Sequence, residues 1–508
     1  MSLLNRSTMP DPPRPAGTSP KAGVLQIGDG NFLRAFADWM IDIANEAGVL
    51  DASVTIAPPR SAGIIDKLNA QDGLFTVLSR GVQAGEPAMA RRIVRCVRCG
   101  IDPRQDPAAL IACACDPKTR FVISNTTEAG IVYREQPRAP GEWPRSFPAQ
   151  VTTLLFKRFE ALEGRPEAGL VFLPCELIEA NGTSLREIVL QHARDWALPK
   201  DFGNWVIRHN HFLNTLVDRI VPGYPDTEAE SLFAELGYTD LLLVAAEPFY
   251  LWVIEGPESV AREFPLHEAG LNVVWTDKLQ PYRTRKVRIL NGAHTASALA
   301  AFCGGLDTVY EMMKNDVVAR FLQRVVFDEI VPFVPLSEAE SRSYAESVLE
   351  RFANPYIRHE LLSITLNSVS KWKVRVLPSL LDYAYAHGRA PAGLAFSLAA
   401  LLWFYRGRFD PAGEFLGLRT AGSYPIRDDR EVLEIFDGAW RDPANARPAD
   451  AVPALLADAR LWGTDLNAVP ELALQVVSAF NRIEAAGMLP ALAEMLACSP
   501  GGRSVPTE

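Results

Sequence analysis

Apolar positions follow two rhythms along this chain, and the change between them falls near residue 278. Before it they come as short, nearly unbroken runs at residues 24–27, 53–56, 121–124 and 170–174, the mark of strands covered on both faces. Residues 75–78 and 92–97 are also strand-like, and helical patterns at 32–44, 107–115 and 151–162 alternate with the strands. Such alternation predicts an α/β domain with a parallel sheet, and residues 247–255 read as its edge strand. After residue 278 the period lengthens to that of helices, at 286–302, 316–327, 338–352, 359–366, 377–386, 392–404, 432–439, 452–461 and 471–496. The expected organisation is an α/β domain over 23–278 followed by a mainly α-helical domain over 279–498. A polar, Pro-rich leader at 1–22 reads as disordered, and 499–508 as a frayed tail.

The first strand ends in Ile27-Gly28-Asp29-Gly30-Asn31-Phe32, and a helical pattern follows at once. Strand, Gly-x-Gly and helix together cradle a dinucleotide pyrophosphate on backbone amides at a helix N-terminus. The first domain is therefore read as a Rossmann-like dinucleotide-binding domain that holds its cofactor through these six residues, although Leu33 stands where a third glycine is usual. The second strand ends in Ala57-Pro58-Pro59-Arg60, without the acidic residue that binds a ribose 2′-hydroxyl; Arg60 can stack on adenine or meet a 2′-phosphate. The strand at 121–124 runs into Asn125-Thr126-Thr127-Glu128, a polar loop at a strand's carboxyl end, where open α/β sheets hold ligands. These four complete the cofactor candidates.

The second half opens with Lys286-Val287-Arg288-Ile289-Leu290-Asn291-Gly292-Ala293-His294. With Lys286 opening a helix, Asn291 and His294 are neighbours at i, i+3, and their side chains lean back toward Lys286. A helix N-terminus, burial and the like charge of Arg283, Arg285 and Arg288 would all lower the ammonium pKa, as a general acid/base requires. Asn291 can donate to a substrate oxygen, and His294 can position the hydroxyl beside it.

Lys286-x4-Asn291-x2-His294, running on to Thr295, resembles the signature of the polyol-specific long-chain dehydrogenase/reductase family, the mannitol dehydrogenase family. Gly28-x-Gly30-x-Phe32-x-Arg34 resembles the same family's cofactor loop, and the wording around Lys286 is closer to its tagaturonate-reducing branch than to its mannitol branch. The resemblance covers Val24 to about Leu496. It implies an NAD-dependent, metal-independent oxidoreductase that interconverts a keto-sugar acid and its hydroxy acid, D-tagaturonate and D-altronate, with NADP left open. Fructuronate, mannitol or another polyol is the alternative substrate. Lys286 would move the proton, Asn291 polarise the carbonyl and His294 orient it.

At the position of Leu177 the mannitol enzymes carry an oxyanion-binding Asn, which Leu cannot replace; either Asn291 acts alone, or Glu176 or a shifted substrate compensates. Asn214 and Asp218, four apart in a segment resembling the family's Asn-x-x-Val-Asp-Arg-Ile, share a face. Asp218 would bind substrate hydroxyls or brace Lys286, against the plainer reading of an Asp218–Arg219 surface pair. A polar cluster from Arg358-His359 to Arg375 offers the cation a sugar acid needs, Arg375 first and Lys371 next. Two rivals from other classes remain: a phosphate-handling transferase, and a non-catalytic dinucleotide-binding protein.

Composition narrows the partners. In 508 residues, 48% are hydrophobic and 22% charged, as in soluble globular chains. A net charge of -10 argues against nucleic acid or an anionic membrane, so an anionic small molecule needs a local basic pocket. No apolar run is long enough to span a bilayer, and the leader lacks a secretory core, so the cytoplasm is expected. Seven cysteines make no disulfide framework in a chain of this size. Cys96 and Cys99 would point to opposite faces of a strand at 91–101; Cys113 and Cys115, like His209 and His211, are two apart on helices. No metal site is expected. No sequence pattern sets an oligomeric state.

Overall fold

The computed structural model describes residues 1–10, 20–59, 63–83, 85–126, 129–138, 142–442 and 447–497. It divides into two compact units, Met1–Leu279 and a second that begins at Gln280. The expected tail at 499–508 and the site candidates Arg60, Thr127 and Glu128 lie outside the described residues.

The first unit is built on a six-stranded, wholly parallel sheet. Its strands are Ala22–Ile27, Ala52–Ala57, Val97–Gly100, Thr119–Ser124, Val171–Pro174 and His211–Phe212. Numbered in chain order, they stand side by side as 3-2-1-4-5-6, the dinucleotide-binding order. Alternate side chains enter two separate cores. Val24, Val54, Phe121, Ile123 and Leu173 face one, and Leu25, Ile27, Val122 and Phe172 the other. Burial on both faces explains why these strands read as unbroken apolar runs. The order reverses between the strands Ala22–Ile27 and Thr119–Ser124, so their carboxyl ends, Ile27-Gly28 and Ser124-Asn125, flank the crevice where such sheets take ligands.

Several readings are corrected here. The expected leader is docked at its start, where Leu3 bridges to Thr239 and Leu4 and Met9 are buried with Leu74 and Tyr238, and its residues 11–19 lie outside the described residues. Two apolar side chains suffice to dock a short polar segment. The stretch at 91–101 is two strands. Glu86–Val94 pairs antiparallel with Phe75–Gln83, while Val97–Gly100 joins the parallel sheet; the Asp42 carboxylate accepts from Arg95 N at the break. Within 247–255 only Leu251–Glu255 is a strand, and it is central, with Asn214–Asp218 on one side and Val273–Thr276 on the other. His209 ends the helix Lys200–His209 whereas His211 opens a strand, so the two never share a helix.

The second unit is mainly helical, as its period indicated. The helix Ala392–Phe404 is apolar all round and almost wholly buried, and it packs on Gly292–Cys303 and Leu472–Ala486. An antiparallel sheet of Gly407–Phe409, Phe415–Arg419 and Gly422–Pro425 interrupts the helices and escaped the periodicity, its strands being short and rich in Gly and Arg. The expected helix at 471–496 breaks at Gly487, whose φ of 89° ends Leu472–Ala486 before Met488–Ala497 begins. No helix among the described residues is long and apolar enough to cross a membrane.

Candidate active site

In the first unit the Ile27–Phe32 turn is fixed by its own packing. Gly28 has φ 142°, and a Cβ there would lie 2.9 Å from Asn125 O and 3.0 Å from Leu33 Cδ1. Leu33 thus does the close packing that a third glycine usually permits, and Gly28 yields the space. Gly28 N donates to Ala57 O and Asn125 N to Ile27 O, which ties the turn to both flanking strands. Gly30 differs: a Cβ at Gly30 would meet nothing within 4 Å, so this glycine borders open space at the start of a helix. That opening, beside a helix N-terminus at the switch point, fits the pyrophosphate of a dinucleotide. The helix runs through Asn31–Leu33, a π segment Arg34–Asp38 and Trp39–Glu46. The Arg34 guanidinium is buried and turned inward, donating to Leu242 O and to Asn31 Oδ1 (2.6 Å). Phe32 stacks on Phe36 at 4.9 Å, and burial raises the pKa of the half-buried Asp29.

Across the switch point, Thr126 is buried over Glu176. The Glu176 carboxylate accepts from Thr126 N (2.9 Å), Thr126 Oγ1 (3.0 Å) and Ser124 Oγ (3.1 Å), and burial raises its pKa. One oxygen holds Thr126 and the other holds Ser124 at the strand end. This makes Glu176 a brace for the Asn125–Thr126 turn, and the suggestion that it stands in for an oxyanion donor at Leu177 loses its geometric basis. Leu177 itself is 58% exposed. Asp218 is buried in the strand Asn214–Asp218, opposite Leu251. Its neighbour Asn214 is occupied, accepting from Thr183 N and donating to Glu255. The surface-pair reading fails, because Arg219 is buried against Trp39 and Tyr250 and donates to Glu247 O and Ser79 Oγ. Desolvation takes the Arg219 pKa down to about 10.

In the second unit Lys286 does not open a helix. The helix starts at Gln280, with Pro281 in its first turn as proline prefers, and is continuous through Gln280–Arg285, a π segment Lys286–Asn291 and Gly292–Cys303. The N-terminal dipole, worth about 0.3–1 kcal/mol within one turn, therefore does not act on Lys286. The basic neighbours also divide. Arg288 is neutralised by Asp382 at 2.5 Å, while Arg285 is buried under the faces of Tyr344 (4.4 Å) and Tyr282 (5.2 Å). The π segment does something the sequence did not suggest. At about 100° per residue an α-helix would splay positions five apart by about 140°, and the wider turn of i→i+5 hydrogen bonding narrows that angle. Lys286 and Asn291 are the two ends of that segment.

His294 follows one turn later. Its ring lies flat on Phe352, with centroids 3.9 Å apart, and meets His359 edge-on at 5.3 Å. Nε2 is buried and has no hydrogen-bond partner among the described residues. Burial, then the charges of His359, Arg351 and Arg375, drive the His294 pKa well below its ordinary value, so the imidazole is neutral at physiological pH. The helix Ser368–Arg375 packs so closely that a Cβ on Gly292 would lie 3.1 Å from Arg375 O. Arg375 Nη1 then reaches Thr295 Oγ1 (3.4 Å), which donates to Asn291 O (2.8 Å). Asn291, Thr295 and Arg375 are thereby linked, and His294 feels the Arg375 charge. Lys371 is half-buried and spends one donor on Ile364 O (2.9 Å); burial, then Arg375, lowers its pKa. Arg358 is exposed and paired with Glu360.

Phe352 and Arg351 beside His294, and Thr295 between Asn291 and Arg375, lie outside the candidates the sequence offers, whereas His359 falls in its polar cluster. Only Thr295 carried a usable signal there, sitting next to the motif. Among the described residues no group of three or more His, Cys, Asp or Glu side chains could hold a metal ion.

Comparison with known proteins fits this geometry. The sequence model described as the mannitol dehydrogenase Rossmann domain matches residues 22–268, and that of the mannitol dehydrogenase C-terminal domain matches 278–484. The altronate oxidoreductase of Yersinia enterocolitica is 43% identical over 496 residues, covering 97% of this chain and 99% of that protein. That of Pectobacterium carotovorum is 44% identical over 491 residues, covering 96% and 98%. Among solved structures, Pseudomonas fluorescens mannitol 2-dehydrogenase, in a ternary complex with NAD and D-mannitol, superposes with a TM-score of 0.67 at 24% identity over 98% of this chain and 100% of that one. A substrate-free D-sorbitol dehydrogenase gives 0.76 at 22% identity, over 96% and 100%.

Proposed function

The chain belongs to the mannitol dehydrogenase family, and on that premise we propose that it is a tagaturonate reductase, interconverting D-tagaturonate and D-altronate with NAD as cofactor. The Ile27–Phe32 turn and the Asn125–Thr126 turn would hold a nicotinamide dinucleotide, which would supply a hydride to the keto carbon or take one from the carbinol carbon in the reverse direction. The rest falls to side chains of the second unit. Lys286 gives its proton to the carbonyl oxygen during reduction and takes the hydroxyl proton in the reverse direction. The Asn291 carboxamide donates to the same oxygen and stabilises the charge that develops there. Neutral His294, its ring clamped by Phe352, offers a nitrogen to orient the substrate without competing for the proton. Arg375 binds the carboxylate of the sugar acid. Lys371 serves the substrate hydroxyls.

One observation carries the uronate assignment: a guanidinium on the helix packed against Gly292, hydrogen-bonded to the Thr295 hydroxyl that donates to the Asn291 backbone carbonyl. A carboxylate takes charge-assisted hydrogen bonds from that cation, which a neutral polyol cannot match. The relatives at 43–44% identity, named altronate oxidoreductase, point the same way. The test is a panel of tagaturonate, fructuronate and fructose with NADH and NADPH. Turnover of tagaturonate with NADH at least tenfold above the other pairs is expected. Preference for fructose would move the protein to the polyol side of its family, and preference for NADPH would overturn the cofactor.

A further inference from the structure

Beneath the glycine turn lies a buried polar pair that the mechanism above does not use. Gln26 is the one polar side chain on the strand Ala22–Ile27, and it faces the same core as Val24 and Phe36. Asp38 ends the π segment Arg34–Asp38, and both residues are fully buried. The Gln26 carboxamide nitrogen donates to Gly28 O (3.0 Å) and to Asp38 Oδ2 (3.2 Å). Those two acceptors fix which way the amide points, since the reversed amide would set its oxygen against both. Two atoms are then left over. Gln26 Oε1 and Asp38 Oδ1 are buried without a partner among the described residues. Two orphaned acceptors in adjoining planar groups cost on the order of 1–3 kcal/mol each. A single proton on Asp38 Oδ1, shared with the amide oxygen, satisfies both.

We propose that Gln26 and the protonated Asp38 form a neutral latch that fixes the Gly28 carbonyl, and with it the turn that receives the dinucleotide, making Asp38 a positioning residue for cofactor binding. The surroundings favour the neutral acid. Burial carries the Asp38 pKa up to about 7, opposed by the Gln26 hydrogen bond and Arg34 and reinforced by Asp42 on its own helix. Arg34 turns its guanidinium to Leu242 O and Asn31, and Asp42 is held by Arg92. From the segment between strands, the buried Cys96 thiol donates to Asp38 O (3.2 Å), and burial raises its own pKa. Deprotonation of Asp38 returns both orphans and sets two acceptor oxygens against each other, which loosens the Gln26 amide that holds the Gly28 carbonyl.

The inference rests on the dinucleotide reading of the first unit, so its test has two independent readouts. By fluorescence titration, the wild-type Kd for NADH should rise at least fivefold between pH 6 and pH 8.5. Asp38→Asn, which supplies the same donor and acceptor without a charge, should keep the pH 6 value within twofold at both pH values. Asp38→Ala should bind at least tenfold more weakly throughout. The Tm of Asp38→Asn minus that of wild type should widen as pH rises toward about 7 and then hold level, because a raised carboxyl pKa withdraws stability from the wild type over that window. A pH-independent wild-type Kd, or Asp38→Asn binding as poorly as Asp38→Ala, overturns the positioning role. A Tm difference that is flat with pH overturns the neutral latch. Failure of the wild type to bind NADH would overturn the dinucleotide reading and the positioning role together, and the Tm series would still decide whether Asp38 is protonated.

Discussion

The His294 imidazole and the Phe352 ring lie face to face, 3.9 Å between centroids and 9° from parallel. Such a stack holds the ring plane while leaving both nitrogens at the edge, where a substrate hydroxyl can be met. Ring stacking of this kind is worth about 0.5–1.5 kcal/mol. Phe352→Leu keeps the bulk and removes the plane, so kcat should fall about threefold to tenfold. The Kd for NADH, set in the other unit, should stay within twofold. An unchanged kcat would show that His294 is oriented by something else.

The same burial makes a pH prediction. His294 has a depressed pKa, so the fold binds fewer protons than the unfolded chain just below the ordinary histidine value of 6.5. The stability this neutral ring contributes is complete above pH 6.5 and is lost as pH falls below it. Replacing it with a group that does not titrate removes that loss. The Tm of wild type should therefore drop more steeply between pH 6.5 and pH 5 than that of His294→Asn. Parallel curves would mean that His294 is solvated enough to keep an ordinary pKa.

Arg375 separates a uronate site from a polyol site. A charge-assisted hydrogen bond to a carboxylate is worth about 1.5–3 kcal/mol, or roughly tenfold to a hundredfold in binding. Arg375→Ala should raise KM for tagaturonate by that factor and change KM for fructose less than threefold. Loss on both substrates alike would assign Arg375 to packing, through its contact with Thr295.

The two glycines of the cofactor turn do different jobs, and their alanine variants should show it. Gly28→Ala meets Asn125 O and Leu33 at φ 142°, so it strains the fold by more than about 1 kcal/mol and lowers Tm with or without ligand. Gly30→Ala meets no atom of the chain, so Tm should stay within about 1 °C while NADH binding weakens at least tenfold. A Gly30→Ala variant that binds NADH normally would place the pyrophosphate elsewhere.

Much of this was readable from the chain because it is local. The buried parallel strands announce themselves as unbroken apolar runs, and the boundary near 278 follows from a change of period. The turn from Ile27 to Phe32 and the Lys286, Asn291, His294 spacing are each carried by fewer than ten residues. What was not legible is what depends on partners far along the chain. Phe352 and His359 reach His294 across more than fifty residues, and no periodicity pairs them. The docking of Leu4 on Tyr238 is invisible for the same reason. The π segments Arg34–Asp38 and Lys286–Asn291 were missed because one inserted residue leaves an apolar pattern nearly unchanged while rotating every side chain beyond it.

That rotation bears on the residue proposed to move the proton. Without a helix N-terminus at Lys286, its reactivity has to come from its place in the π segment that ends at Asn291. Position and proton can be separated by substitution. Lys286→Arg preserves the charge and the length but not the chemistry, since a guanidinium does not give up its proton near neutral pH. If Lys286 is the acid/base, Lys286→Arg and Lys286→Ala should both lose at least a hundredfold in kcat, keep NADH Kd within a few-fold, and hold Tm within about 2 °C. A small amine added to Lys286→Ala should restore part of the rate, and the restored rate should rise with pH as the free amine accumulates in the oxidative direction. If Lys286→Arg instead retains most of the wild-type kcat, the ammonium acts only as a charge, and the proton must travel by another route.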